Sequence, residues 1–285
     1  WITESFTNLK DNIMKFFLSA FLMLSSIVTS QYLDDILKGK HRSEKNKARD
    51  IYRNPKETLN FFGIKNDMTV VELSPGGGWY QEIIGPYLRK NGKYISATYD
   101  PESKNERTRD RYSKERDKLN SQKKLYGDVL MVPINAAVYG EENSADLVVS
   151  FRNYHNWSGN SEFEKLRAIY KTLKPGGVLG ITDHRSNSTK DEKGYACEPC
   201  LIDDAEAVGF EYIGSSQINA NPMDTKDYPG GVWNLPPTLS ENGLKKTQIK
   251  KMQKKFLSIG ESDRFTIKFI KPVSYTHLTL PTTEA

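Results

Sequence analysis

The stretch Val70–Tyr80, V-V-E-L-S-P-G-G-G-W-Y, carries an apolar run with a single acid, Glu72, straight into three consecutive glycines. Such a run reads as a buried strand, because M-T-V-V-E-L from Met68 to Leu73 is rich in β-branched residues and does not alternate with polar ones. Glycine after a strand lets the main chain take unusual dihedrals and lets a ligand approach it closely. The pattern after the loop, Gln81 to Lys90, is helical. A strand, a glycine turn and a helix make the first half of a parallel βαβ unit, and this one unit already excludes all-α and all-β folds.

The rest of the chain repeats the alternation. Strand patterns recur at Gly92–Tyr99, Ala145–Phe151, Gly177–Thr182, Phe210–Gly214 and Phe265–Ile270, with a shorter one expected through Lys124–Tyr126. Helical patterns cover much of Gln31–Asn60, then Ser161–Leu173 and Asp203–Val208. The charge-dense segment Glu102–Lys124 reads as a solvated helix face. The expected fold is α/β, a single doubly wound, mostly parallel sheet. Its last strand is expected to be antiparallel, since no clear crossover helix joins the final pair. Asn219–Pro237, rich in Pro, Asn and Gly, reads as an insertion between those two strands.

Both ends are set apart from this domain, which is expected to span 31–272. Met14-Lys15 precedes an apolar h-region at 16–28 and the small polar residues Thr29-Ser30, the pattern of a secretory signal peptide. The run is shorter than the ~20 residues a membrane helix needs, so no stable span is expected in the mature chain. Residues 273–285, including V-S-Y-T-H-L-T-L-P-T, resemble a translated library adapter and are expected to be a non-native tail. The net charge of +5 is spread among alternating acids and bases, which points to no nucleic-acid partner.

In a doubly wound sheet, ligands bind beyond the carboxyl ends of the strands where the strand order reverses, and Pro75–Gly78 falls there. A dinucleotide fingerprint needs a third glycine where this chain has Gln81, and a phosphate loop needs a following G-K-[ST] that is absent. Glu72-Leu73-Ser74-Pro75-Gly76-Gly77-Gly78 instead resembles the first motif of class I S-adenosylmethionine-dependent methyltransferases, E/D-x-G-x-G-x-G, with Ser74 replacing the first glycine.

That resemblance implies S-adenosylmethionine as cofactor. Glu72 and loop carbonyls would face its ammonium, and amides around Ser74, Gly76 and Gly78 its carboxylate. Asp100 would take the ribose hydroxyls and Asp128 the adenine amino group. Each of these two could equally be a turn aspartate. Trp79 and Tyr80 would wall the site or simply pack. L-K-P-G-G, Leu173–Gly177, resembles the family's turn before its fifth strand. Together with F-R-N-Y-H-N-W at Phe151–Trp157, T-D-H-R at Thr182–Arg185 and G-E-S-D-R-F-T-I-K-F-I-K-P near the end, these segments resemble a bacterial group of predicted exported methyltransferases.

Catalytic candidates belong at the strand ends beside the glycine loop. His155 is the expected base, having an ordinary pKa near 6.5. Asn153 either orients a polar acceptor or caps a helix. Asp183 and His184 either supply a second acid–base pair or form a satisfied network. Arg152 flanks the donor, and either binds an anionic acceptor or pairs with a neighbouring acid. Cys197-Glu198-Pro199-Cys200 lacks the further ligands of a metal site, and no metal is expected; plain thiols or a local disulfide are the readings kept. The expected function is methyl transfer to a small molecule or envelope component in the periplasm. The donor is made in the cytoplasm, so the alternative is an inactive exported protein that binds a small ligand on the same fold.

Overall fold

The computed structural model describes residues 32–159 and 161–273. The expected leader at 16–28 and all but Val273 of the expected tail lie outside the described residues. Seven strands form one sheet: β1 (Thr69–Leu73), β2 (Lys93–Thr98), β3 (Val129–Pro133), β4 (Ala145–Phe151), β5 (Leu173–His184), β6 (Glu211–Ser216) and β7 (Arg264–Ile270). Their order is β3-β2-β1-β4-β5-β7-β6. Pairings among β1 to β5 are parallel, while β7 runs antiparallel to both β5 and β6. The expected α/β fold with an antiparallel last strand is therefore present.

Both sheet faces are covered, which explains strands without polar alternation. Val71, Leu73 and Val148 face one core, with Leu166 and Ile169 of α8 (Glu162–Thr172) and Leu201 and Ala205 of α9 (Glu198–Val208). Val70, Leu147 and Val149 face the other, with Leu59 and Phe62 of α4 (Pro55–Phe62) and Ile83 and Ile84 of α5 (Gln81–Leu88). Ahead of α4 come α1 (32–37), α2 (Glu44–Lys47) and α3 (Asp50–Arg53). Asn54, at φ +38°, breaks α3 from α4.

Three local readings are corrected. Lys124–Tyr126 is not a strand but part of a helical turn, α7 (Lys123–Tyr126), closed by Gly127 at φ +73°. The third strand is V-L-M-V-P, so Gly127 and Asp128 precede it instead of following it. The charge-dense helix α6 (Glu106–Ser121) is more than a solvated face. Glu115 is buried and accepts hydrogen bonds from Ser96 and Thr98 of β2 and from Gln81 Nε2. After the insertion comes an unanticipated helix, α10 (Ile249–Ile259), whose Phe256 and Ile259 pack with Tyr228 and Leu235.

Candidate functional site

The strand order reverses between β1 and β4, and the loops leaving these two strands meet there. Asn153 Nδ2 donates to the Ser74 carbonyl at 3.0 Å and to the Phe151 carbonyl at 3.0 Å. Asn153 thus ties the β4 loop to the glycine loop, a positioning role that neither sequence reading of it anticipated. Ser74, in place of the first glycine of the resembled motif, sits at φ +50°. Gly76 at φ +60° and Gly78 at φ +77° share that left-handed conformation, so the loop keeps the glycine geometry with a serine in it.

A cavity of about 220 Å³ opens at this junction. It is lined by Glu72, Ser74–Gly77, Trp79 and Tyr80 from β1 and the segment after it, by Phe151–Asn153 at the end of β4, and by Asn46, Arg49 and Arg53 from ahead of β1. Gly76 and Gly77 also border an open cleft of about 450 Å³ with Tyr99, Arg111, Lys114 and Lys118. The two glycines are thus the sill between two chambers.

Glu72 is 2% exposed at the end of β1, and accepts a hydrogen bond from Tyr94 Oη at 2.6 Å. Burial, aided by the charge of Glu115 and opposed by the Tyr94 bond, pushes its carboxyl up to about 8. At neutral pH it is largely protonated, and a cation arriving in the cavity would pull its pKa down again. Trp79 and Tyr80 do wall the cavity, and they also anchor the N-terminal helices. Trp79 Nε1 donates to the Asn46 carbonyl and its ring lies under Arg53, 4.6 Å away. Tyr80 stacks on Phe151 with centroids 3.4 Å apart.

The two adenosine candidates separate. Asp100 stands at the carboxyl end of β2 beside Tyr99, and its Oδ1 accepts from the Glu102 amide at 2.8 Å, a turn contact that leaves Oδ2 for another partner. Asp128 is exposed at the amino end of β3, pairs with Lys123 and borders a different depression with Gly92 and Lys93. It is at the opposite end of the sheet from the glycine loop, which removes it from this site. The segment that does follow β3 is Ile134–Asn135, with the Ile134 amide bonded to Thr98 O.

Asp183 is fully buried at the end of β5. Its oxygens accept from the His155 amide, the His184 amide and His155 Nδ1, the last at 2.8 Å. A carboxylate can only accept, so Nδ1 carries the proton and His155 Nε2 is the basic nitrogen. Burial lowers the His155 pKa, but the charge and hydrogen bond of Asp183 outweigh it and the net shift is upward. Asp183 is fully engaged and orients His155, so it is not itself a base. His184 is buried with Nδ1 against Ser262 Oγ; burial and the charge of Arg152 hold it well below its ordinary value, hence neutral. His155, Asp183 and His184 bring ligand atoms within 4.8 Å of one another. The guanidiniums of Arg152, Arg264 and Arg53 that depress His184 equally oppose a divalent cation there.

Sequence reasoning missed Arg49 and Arg53. Arg49 and Arg53, one turn apart at the start of the domain, both donate to Glu261, as does Arg264 Nη2. Their spacing of four and the neighbouring Asn-Pro were visible, but their shared partner lies more than 200 positions away. Arg152, at φ +59°, donates its amide to Thr182 O, while its guanidinium has no hydrogen-bond partner among the described residues. Of its two readings, pairing with a neighbouring acid is not met among the described residues. Cys197 and Cys200 form a disulfide at the start of α9.

No protein-family model matches the chain. Over 99 residues it is 32% identical to YdaC of Bacillus subtilis strain 168, described as an uncharacterised methyltransferase, covering 34% of this chain and 50% of that protein. The chain thus spans about half the length of the curated relative it matches. Among solved structures, a phosphoethanolamine N-methyltransferase 2 of Haemonchus contortus, in complex with S-adenosylmethionine, aligns with a TM-score of 0.50 at 16% identity over 85% of this chain and 60% of that one. A Galdieria sulphuraria protein assigned as a sarcosine dimethylglycine methyltransferase aligns with a TM-score of 0.51 at 14% identity over 79% and 86%. At such identities these structures establish the likeness of fold: the sheet is that of the class I methyltransferases.

Proposed function

We propose that this chain is an S-adenosylmethionine-dependent methyltransferase acting on a small-molecule acceptor. The observation that carries the reading is the glycine sill between two chambers, with the buried carboxyl of Glu72 beneath one of them. A donor with an amino-acid end and a nucleoside end suits that division. Glu72 and the carbonyls around Ser74 suit an ammonium, the loop amides of Gly76 and Gly77 a carboxylate, and Asp100 a ribose diol. When bound, S-adenosylmethionine supplies an electrophilic methyl group on a sulfonium. The chain's own work is then alignment, the exclusion of water by Trp79, Tyr80 and Phe151, and removal of a proton from the acceptor where its nucleophile carries one. His155, whose Nδ1 is held by Asp183, is the base this reading assigns to that proton.

The test is calorimetric titration of S-adenosylmethionine near pH 7 in two buffers of different ionisation enthalpy. Micromolar binding with proton release is the expected result, because a cationic ligand ionises Glu72. Asp100→Ala should weaken binding at least tenfold. Absence of binding by a folded sample sinks the reading and leaves the inactive ligand-binding protein as its replacement. The proposal includes export to the periplasm, supported by the leader-like pattern at 16–28 and by the Cys197–Cys200 disulfide, a bond favoured in oxidising compartments. Fractionation of cells expressing the full chain tests that part, and recovery only in the cytoplasm with both thiols reduced overturns it.

A further inference from the structure

We infer that the acceptor of this site is a small oxyanion, a molecule bearing a carboxylate or phosphate that docks on Arg152 with Arg49 and Arg53. The inference rests on the methyltransferase reading and adds the chemical class of its substrate.

Charge carries the argument. Four guanidiniums, those of Arg49, Arg53, Arg152 and Arg264, gather at the junction of β4, β7 and α3. Three of them share one carboxylate, Glu261. Asp183, the other acid near Arg152, is committed to His155 and His184. Arg49 Nη2 and Arg53 Nη2 have no hydrogen-bond partner among the described residues, although Arg53 is only 4% exposed. Buried donors left this way cost free energy that a bound anion recovers. The crowding is felt electrostatically: burial and the charge of Arg264 hold the Arg152 guanidinium down at about 10.

Geometry says where the anion goes. Arg53 and Arg152 also border a gap of about 10 Å³ with Arg264 and Asn219. That is the size of one water, too small for a carboxylate or phosphate. The cavity of about 220 Å³ is bordered by Arg49, Arg53 and Arg152 together. A methyl donor does not balance this charge. Its carboxylate is offset by its own ammonium, and the sulfonium adds a further positive charge. The donor's net positive charge is met by ionisation of Glu72, so loading it leaves the charge of the arginines uncompensated and open to an anionic second ligand. Arg152 lies three residues before His155 on the same loop, and the two are close enough for the charge of Arg152 to lower the His155 pKa.

The experiment is calorimetric titration of sodium phosphate, and separately sodium acetate, into the full chain at constant ionic strength, with and without saturating S-adenosylhomocysteine. The expected result is anion binding in both states, with affinity for the nucleoside unchanged or higher when the anion is present. Tighter phosphate binding identifies a phosphorylated acceptor, and tighter acetate binding a carboxylic acid. Arg152→Gln should weaken the anion at least tenfold, and by a larger factor than it weakens the nucleoside. Should that variant fail to fold, the wild-type competition alone decides. Mutual exclusion of anion and nucleoside overturns the inference, since the arginines then hold the donor's own carboxylate. No anion binding at tens of millimolar overturns it as well. Failure of S-adenosylhomocysteine itself to bind is a different result: it removes the methyltransferase reading, and the acceptor assignment with it.

Discussion

Ser74 holds a conformation its side chain disfavours. A non-glycine residue at φ +50° costs on the order of 1–2 kcal/mol, partly offset by the larger unfolded-state entropy that glycine would bring. Ser74→Gly should therefore stabilise the protein by about 1 kcal/mol, a rise of about 2–4 °C in Tm for a domain of this size, measurable by calorimetry. The His155–Asp183 pair makes a second prediction at this scale. With its folded pKa raised above the unfolded value, His155 contributes stability that is complete below about 6.5 and is lost as pH rises through its folded pKa. Asp183→Asn removes the charge that raises it and leaves burial and Arg152, so the His155 ring should titrate below about 6.5 by NMR. A titration still above that value would show that Asp183 is not what raises it. Such couplings were only half visible in the chain. His155 and Asp183 could be named as candidates, but which of them is the base and which the orienter depends on two hydrogen bonds between residues 28 positions apart.

Packing between elements is set by positions that tolerate no side chain. Gly180 in β5 lies under Phe62 of α4, where an added Cβ would stand 2.6 Å from the ring. Gly180→Ala should displace Phe62 and cost about 1–3 kcal/mol, read as a lower urea midpoint with an unchanged slope. Strands β1, β4 and β5 were legible because both of their faces are buried, which leaves unbroken apolar runs. β3 was misplaced by a few residues because it is an edge strand with Leu130 exposed, so burial wrote no clear pattern into it. The error moved Asp128 to the wrong end of the sheet. Helix α10 was overlooked because lysines dominate it, yet Ile249, Met252, Phe256 and Ile259 fall at helical spacing and could have revealed it.

On the scale of the whole molecule, Glu261 joins the beginning of the domain to its end. It takes Arg49 and Arg53 from before the first strand and Arg264 from the last. Burial pushes its pKa up, but the charges of Arg264 and Arg53 win and hold it at about 2. Its stabilisation is present above about 4.5 and lost as pH falls through about 2. Glu261→Gln should cost about 3–5 kcal/mol, because the buried guanidiniums of Arg53 and Arg264 and the half-buried one of Arg49 lose their common partner. It should also flatten the acid limb of stability between those two pH values, which equilibrium unfolding at stepped pH would record. A loss below 1 kcal/mol would mean that the arginines repel one another too little to need it. The site shares this architecture, and that is why it was least legible: the glycine loop could be quoted from one segment, but its cationic wall is assembled from three.

The sheet order has a consequence for synthesis. β7 is the last of the seven described strands to be synthesised, yet it lies inside the sheet, between β5 and β6. Until residues 264–270 emerge, β6 has no neighbour to bond to and β5 presents an open edge beside the developing site. Ser262, which His184 contacts, and Glu261, which gathers the arginines, arrive on the same segment just ahead of it. A nascent chain halted before this point would hold the glycine loop and a correct parallel half-sheet without the charges that finish the pocket. The arginine cluster therefore gains its shared carboxylate late, on the segment that leads into the strand closing the gap between β5 and β6.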